Sequence, residues 1–165
     1  MFINRFPEFE KDNIGLYITS KTRGSGKTFL ASAIAGELID KYEASTQFIN
    51  VSDLLEMSKK KRDDGGDPLE SLLSCRVLIL DDLGQKMTGI NWLEDVLFRI
   101  INTRYATKKI LIVTSNIPLP ELDFDDRLVD RFNAMMLTVK IPECCIRARE
   151  ARSRKEAILQ KYGIE

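Results

Sequence analysis

The chain of 165 residues contains no histidine. That absence removes Ser-His-Asp and Cys-His catalysis, imidazole proton shuttling and His-ligated zinc in one step. Chemistry here must run on carboxylates, lysine, arginine, hydroxyls or a metal-bound nucleotide. Cysteine is scarce as well: Cys75, Cys144 and Cys145 form no CxxC pair, and adjacent thiols are badly placed to bridge each other or to chelate zinc. They read as reduced thiols of a cytoplasmic protein. No run of about eighteen apolar residues could span a bilayer, and the opening MFINRFPEFEKDN lacks the apolar core of a secretion signal. No membrane partner is expected. Net charge is missing too, since 25 basic residues balance 25 acidic ones. A nucleic-acid partner would therefore have to be met by a local patch.

What remains is the composition of a folded chain, 44% hydrophobic and 30% charged with only 9 Gly and 5 Pro, at a length that suits one domain. Short apolar runs of β type alternate with helical patterns, which predicts an α/β architecture with a parallel sheet between helices. Strands are expected at residues 15–20, 47–51, 76–80, 110–114 and 136–141. Helices are expected over 27–43, with Phe29, Ala33, Ile34 and Leu38 as its apolar positions, over 54–61 capped by Ser52 or Asp53, and over 90–105. A short helix over 125–132 and a basic one over 146–162, closed by Gly163, complete the set. The stretch KKKRDDGGDP, with Gly65, Gly66 and Pro68, reads as a solvated connection.

The segment TSKTRGSGKTFL joins the first strand to the first long helix, the context a phosphate-binding loop requires. Gly24 and Gly26 let successive backbone N–H groups turn inward, and the helix beginning near Lys27 adds its positive dipole end. Lys27 would reach β- and γ-phosphates and Thr28 would bind Mg²⁺ through its hydroxyl, so the candidate nucleotide contacts are Arg23, Gly24, Ser25, Gly26, Lys27, Thr28 and Phe29. The pattern G-x-x-x-x-G-K-[ST] is broken at its first position, where Lys21 replaces glycine.

A second carboxylate source should lie at the end of a neighbouring buried strand, and LILDD supplies it. Asp81 is the expected metal-associated carboxylate, and Asp82 the candidate base or water-positioning group. The strand ILIVTSN delivers Asn116 to the same carboxyl edge, where open α/β sheets bind ligands. It could hydrogen-bond a γ-phosphate or the attacking water, or simply turn the chain before Pro118.

GSGKT, LILDDLG, VTSN, DDRLVDRF and the terminal IRAR, in that order, resemble the AAA+ domain of bacterial helicase loaders of the DnaC/DnaI type. The IstB transposition ATPases are close to the same pattern and the DnaA initiators more distant. The resemblance covers about residues 15–152. It implies a P-loop NTPase three-layer sandwich with a five-stranded parallel sheet and little or no C-terminal lid. Residues 1–14 would form a lead-in and 15–165 the ATP-binding domain. It further implies ATP/ADP and Mg²⁺ as cofactors, Asp82 as the hydrolytic acid, Asn116 as sensor 1, Arg131 as the arginine finger and Arg147 as sensor 2. Arg127, four residues before Arg131, is the competing finger. Partners implied are a replicative DNA helicase, single-stranded DNA and further copies of the chain joined through ATP sites. A transposition helper and a nucleotide-bound module without hydrolysis remain open. Two surfaces are candidate DNA contacts: the terminal helix, with six Lys/Arg against two Glu over RAREARSRKEAILQK, and the helix carrying Trp92, Phe98, Arg99 and Arg104, where Phe98 is favoured as core.

Overall fold

The computed structural model describes residues 1–59, 66–84 and 91–162. Five strands, β1 (Gly15–Thr19), β2 (Thr46–Asn50), β3 (Val77–Leu83), β4 (Ile110–Ser115) and β5 (Met136–Lys140), form one parallel sheet in the order β2-β3-β4-β1-β5. The helices are α1 (Phe6–Asp12), α2 (Lys27–Tyr42), α3 (Val51–Lys59), α4 (Glu70–Ser74), α5 (Asn91–Ala106), α6 (Asp126–Met135) and α7 (Ile146–Tyr162). The expected architecture holds, including a single helix after β5 among the described residues.

The central strands are apolar without interruption because each covers two cores, sorted by the alternation of side chains along a strand. Leu16, Ile18, Val77, Ile79, Ile110 and Ile112 face α1 and α2. Tyr17, Leu78, Leu80, Leu111 and Val113 face α3, α4, α5 and α6. β2 and β5, at the two edges, are largely exposed.

Several local expectations change. On α2 the buried positions are Ala31, Ile34, Ala35 and Leu38, while Phe29 is 79% exposed and Ala33 is also at the surface. Helical spacing alone was compatible with both stripes, and Phe29 lies in the first turn of α2, next to the glycine loop, on the side turned from the core. α3 starts at Val51, and its first turn is capped by Asn50, whose Oδ1 accepts from Ser52 N at 2.9 Å; Ser52 and Asp53 are already helical. The lead-in is structured: α1 buries Phe6 completely against the second core and ends on left-handed Asn13. The expected helix end near Lys61, the glycine Gly65, the start at Ile90, the side chain of Trp92 and the terminal Gly163 lie outside the described residues.

Arg104, taken as a DNA-facing candidate, is instead wholly buried. Its guanidinium donates to the carbonyls of Leu72, Cys75, Arg76 and Ile110 at 2.8, 3.0, 3.1 and 2.5 Å, knitting α4, β3 and β4 to the end of α5. Burial pushes its pKa down, and the Cys75 thiol works in the opposite direction. Its spacing from Leu93, Leu97, Ile100 and Ile101 already put it on the apolar stripe. Arg104→Ala should strip the guanidinium from all four carbonyls in a dry interior, with Ile110 N still donating to Arg76 O and Cys75 Sγ to Leu72 O, and cost about 3 kcal/mol in urea unfolding. A loss below about 1 kcal/mol would mean water replaces the guanidinium freely. Arg99 is paired with Asp67, and Phe98 is half-buried against the core as expected.

Candidate functional site

The first turn of α2, the ends of β3 and β4 and the β5–α7 connection converge at the carboxyl edge of the sheet. Between β1 and α2 the chain must reverse within a few residues, which it does through two left-handed glycines, Gly24 at φ 73° and Gly26 at φ 96°. Lys21 has no positive φ, so the missing first glycine removes no conformation this loop uses. Lys27 is 7% exposed, and its Nζ donates to Ser20 O, Thr22 O and Ser25 Oγ at 3.1, 3.0 and 3.2 Å. Burial pulls its pKa below the ordinary lysine value, and the carboxylates of Asp82, Glu143 and Asp81 pull it back up. The ammonium thus sits inside the loop, at the place where negative charge would be received. Arg23, Thr28 and Phe29 are exposed around it.

Across the sheet, β3 does not stop before its acids. It runs on to Leu83, and its pairing with β4 slips by one residue, Leu80 lying opposite Val113 and Leu83 opposite Ser115. The extra residue makes a β-bulge, with Asp82 left-handed at φ 60°. Leu83 is pulled into the core, where an unbroken strand would have put residue 82, and Asp82 is released to the surface beside Asp81. One hydroxyl fixes this bulge. Thr114 Oγ1, 1% exposed at residue level, accepts from Asp82 N at 3.0 Å and donates to Asp81 Oδ1 at 2.6 Å.

Asp81 also accepts from Thr28 Oγ1 at 2.9 Å, so the two residues expected to share a metal lie in contact. Asn116 Nδ2 donates to Asp82 Oδ1 at 3.0 Å, whereas Asn116 Oδ1 is buried with no partner among the described residues. The loop bearing Asn116 is held from beneath: Ile117 O accepts from Tyr17 Oη at 2.7 Å and Thr19 Oγ1 at 3.2 Å. Burial pushes the Tyr17 phenol up to about 12.

The residues fit a nucleotide with a magnesium ion. Left-handed glycines leave loop amides unencumbered, an ammonium lies among them, and the hydroxyl and carboxylate oxygens of Thr28 and Asp81 are hard donors of the kind Mg²⁺ takes along with phosphate oxygens. No cluster of three or more acidic or cysteine ligands occurs among the described residues, so phosphate and water would have to complete the metal's shell.

Not all candidates meet here. Arg131 lies over the Tyr105 ring at 4.5 Å, toward the end of α5 that leads into β4, away from the phosphate loop. Arg127 is tied to Asp125, which caps α6, and lies over Phe98. Arg147 reaches the loop by its backbone, its N–H donating to Gly24 O at 3.2 Å, with an exposed side chain. Two residues of the site were missed in the sequence, Thr114 and Glu143. The hydroxyl beside Asn116 in VTSN was a signal for the first. Glu143 accepts from Ser20 Oγ, Lys21 N and Thr22 N, with nothing local to announce it.

A family model described as IstB-like ATP binding protein matches residues 8–141. The replicative helicase loader DnaI of Bacillus subtilis (strain 168) is 32% identical over 125 residues, 73% of this chain and 39% of that protein. The uncharacterized protein YqaM of the same organism is 29% identical over 117 residues, 68% of this chain and 37% of its own length. The chain therefore spans about two-fifths of these curated relatives. The crystal structure of the DnaC helicase loader superposes with a TM-score of 0.73 at 26% identity, over 86% of this chain and 84% of that one. With the family model matching most of the chain and DnaI 32% identical over 73% of it, the chain belongs to the IstB-like ATP binding protein family and has the AAA+ fold of the DnaC/DnaI type.

Proposed function

We propose that this chain is the ATP-binding and ATP-hydrolysing part of a DNA-replication helicase loader, in which nucleotide state sets the grip on a replicative helicase and on single-stranded DNA. The observation that carries the reading is the hydrogen bond from Thr28 Oγ1 to the Asp81 carboxylate, which joins the phosphate loop to the acidic bulge. Family membership and the similarity to DnaI and DnaC support the replication role.

In this reading the amides from Gly24 to Thr28 and the Lys27 ammonium bind the phosphates, and Arg23 and Phe29 border the nucleotide. Thr28 and Asp81 would hold Mg²⁺, which would supply neutralisation of phosphate charge. Asp82 and Asn116, joined by the bond from Asn116 Nδ2 to Asp82 Oδ1, orient the attacking water. Arg131, whose guanidinium has no role at its own loop, serves the site of an adjacent copy, and Arg147 approaches the phosphates of its own. Self-association through ATP sites follows from that assignment. The exposed basic face of α7 supports a DNA contact. No helix among the described residues is long and apolar enough to cross a membrane, and a cytoplasmic location belongs to the same reading.

Titration with ATP and GTP, then phosphate release with and without single-stranded DNA and helicase, tests this directly. Absence of nucleotide binding would sink it. Since the matched family is named for IstB, a transposition helper is the second reading, and copurification of a transposase rather than a helicase would select it. Nucleotide binding without phosphate release under any of these conditions would select a non-hydrolysing module, an outcome to which the short Asp82 side chain lends itself.

Thr114→Val keeps the shape of the side chain and deletes its hydroxyl. Hydrolysis should fall about tenfold or more with little change in nucleotide affinity, because the bulge loses the group that orients both acids. Thr114→Ser should restore most of the rate, and a fully active valine variant would remove Thr114 from the account.

A further inference from the structure

We propose that Glu143 is a positioning residue of the phosphate loop and the clasp that couples the loop's occupancy to helix α7. This rests on the nucleotide-site reading above and adds a regulation of that site.

After β5 the backbone still follows β1, Ile141 N donating to Thr19 O at 3.0 Å. Two residues later the Glu143 carboxylate enters the start of the phosphate loop. It accepts from Ser20 Oγ at 3.0 Å, Lys21 N at 2.8 Å and Thr22 N at 2.7 Å, donors from three consecutive residues. Converging donors of this kind form a nest for an anion, and here the anion is the chain's own. Such charge-assisted bonds are the stronger kind. They immobilise the half of the loop that carries Lys21 where the motif has glycine.

The rest of the connection closes on the glycines. Arg147 N bonds Gly24 O. A Cβ placed on Gly24 would meet Cys145 Sγ at 3.1 Å and Arg147 Cβ at 3.2 Å, and one on Gly26 would meet Ile146 Cδ1 at 3.3 Å. Residues 143–147 thus form the root of α7 against the loop, and beyond that root the described side chains of α7 are exposed. The root decides where this helix points.

Ser20 and Thr22 connect the two halves of the device. Each gives its carbonyl oxygen to the Lys27 ammonium and a donor group to Glu143. A polyphosphate that draws Lys27 away from those carbonyls acts on the same two residues that Glu143 holds, so the root of α7 responds within one hydrogen-bonded step. By thermodynamic reciprocity, whatever α7 binds alters nucleotide affinity by the same factor.

The test compares full-length wild type, Glu143→Ala and Glu143→Gln by hydrogen exchange with and without MgATP, alongside ATP titration. Glu143 is exposed, and thermal melts monitored by circular dichroism verify that each variant is folded. Without nucleotide, the amides of Lys21 and Thr22 and the first turn of α7 should exchange faster together in the alanine variant. In wild type MgATP should change exchange at both the loop and the first turn of α7. In Glu143→Ala the loop should respond while α7 does not, with ATP affinity about tenfold weaker. A merely structural residue would lower the melting temperature and leave the response of α7 intact. Unchanged exchange without nucleotide, a wild-type α7 response or unaltered affinity in the alanine variant each overturns the clasp. Failure of the wild type to bind ATP would instead overturn the nucleotide reading and the coupling with it, while the nucleotide-free exchange still decides whether Glu143 holds the loop.

Discussion

Lys27→Ala is expected to raise the dissociation constant for ATP at least about a hundredfold, a loss of about 3 kcal/mol or more. Lys27 is 7% exposed, and among the described residues its ammonium donates to neutral oxygens of its own loop, Ser20 O, Thr22 O and Ser25 Oγ. Among the described residues it is therefore a charge held without a contacting counter-ion and ready for one. Burial has lowered its pKa, and the sign of that shift separates binding from folding. A lysine whose folded pKa lies below its unfolded value costs stability wherever the folded group stays charged, and that cost vanishes as pH rises above the unfolded value. Removing it should not lower the melting temperature of the nucleotide-free protein. Adding MgATP should then raise the melting temperature of wild type and leave that of the alanine variant in place. Wild-type ATP affinity in Lys27→Ala would dismantle the site.

Asp82→Asn should leave nucleotide affinity within a few-fold of wild type and reduce phosphate release about a hundredfold or more, measured with single-stranded DNA and helicase present. Asparagine is the informative replacement because position 82 is left-handed, at φ 60°, a conformation asparagine tolerates and β-branched residues do not. The backbone bond from Asp82 N to Thr114 Oγ1 and the bulge around it survive, so only the charge is tested. The contact with Asn116 Nδ2 can persist through an amide oxygen. Undiminished hydrolysis would transfer the water-orienting role from residue 82 to another group.

Much of the candidate site was legible in the sequence because its parts are local. Strand, glycine turn and helix start occupy one stretch from Gly15 to Tyr42, and the acids follow four apolar residues in VLILDD. What a linear reading could not give was the orientation of those acids. In a regular strand Asp81 and Asp82 point to opposite faces, and the one-residue slip between Leu80 and Leu83 is a property of pairing with β4. Arg104 shows the converse error: a charged residue on an apolar stripe was counted by its charge, although carbonyls of α4, of the turn into β3 and of β4 were waiting for it. The apolar spacing on α2 misled for a similar reason, since Phe29 and Ala31 each suit a helix and only the neighbouring sheet selects which is buried.

By itself the sequence determined the parallel α/β class, the chain order of the five strands and the glycine turn between β1 and α2, because side-chain periodicity and left-handed glycines act over a few residues and need no partner from elsewhere. Only the tertiary structure decided that Thr28 meets Asp81, that Thr114 orders the bulge and that Glu143 holds Ser20, Lys21 and Thr22 across more than a hundred residues of chain. Hydrogen bonds between residues so far apart leave no periodic trace in a linear sequence; β3–β4 pairing sets Thr114 beside Asp82, and β5–β1 pairing brings Glu143 to the loop after β1.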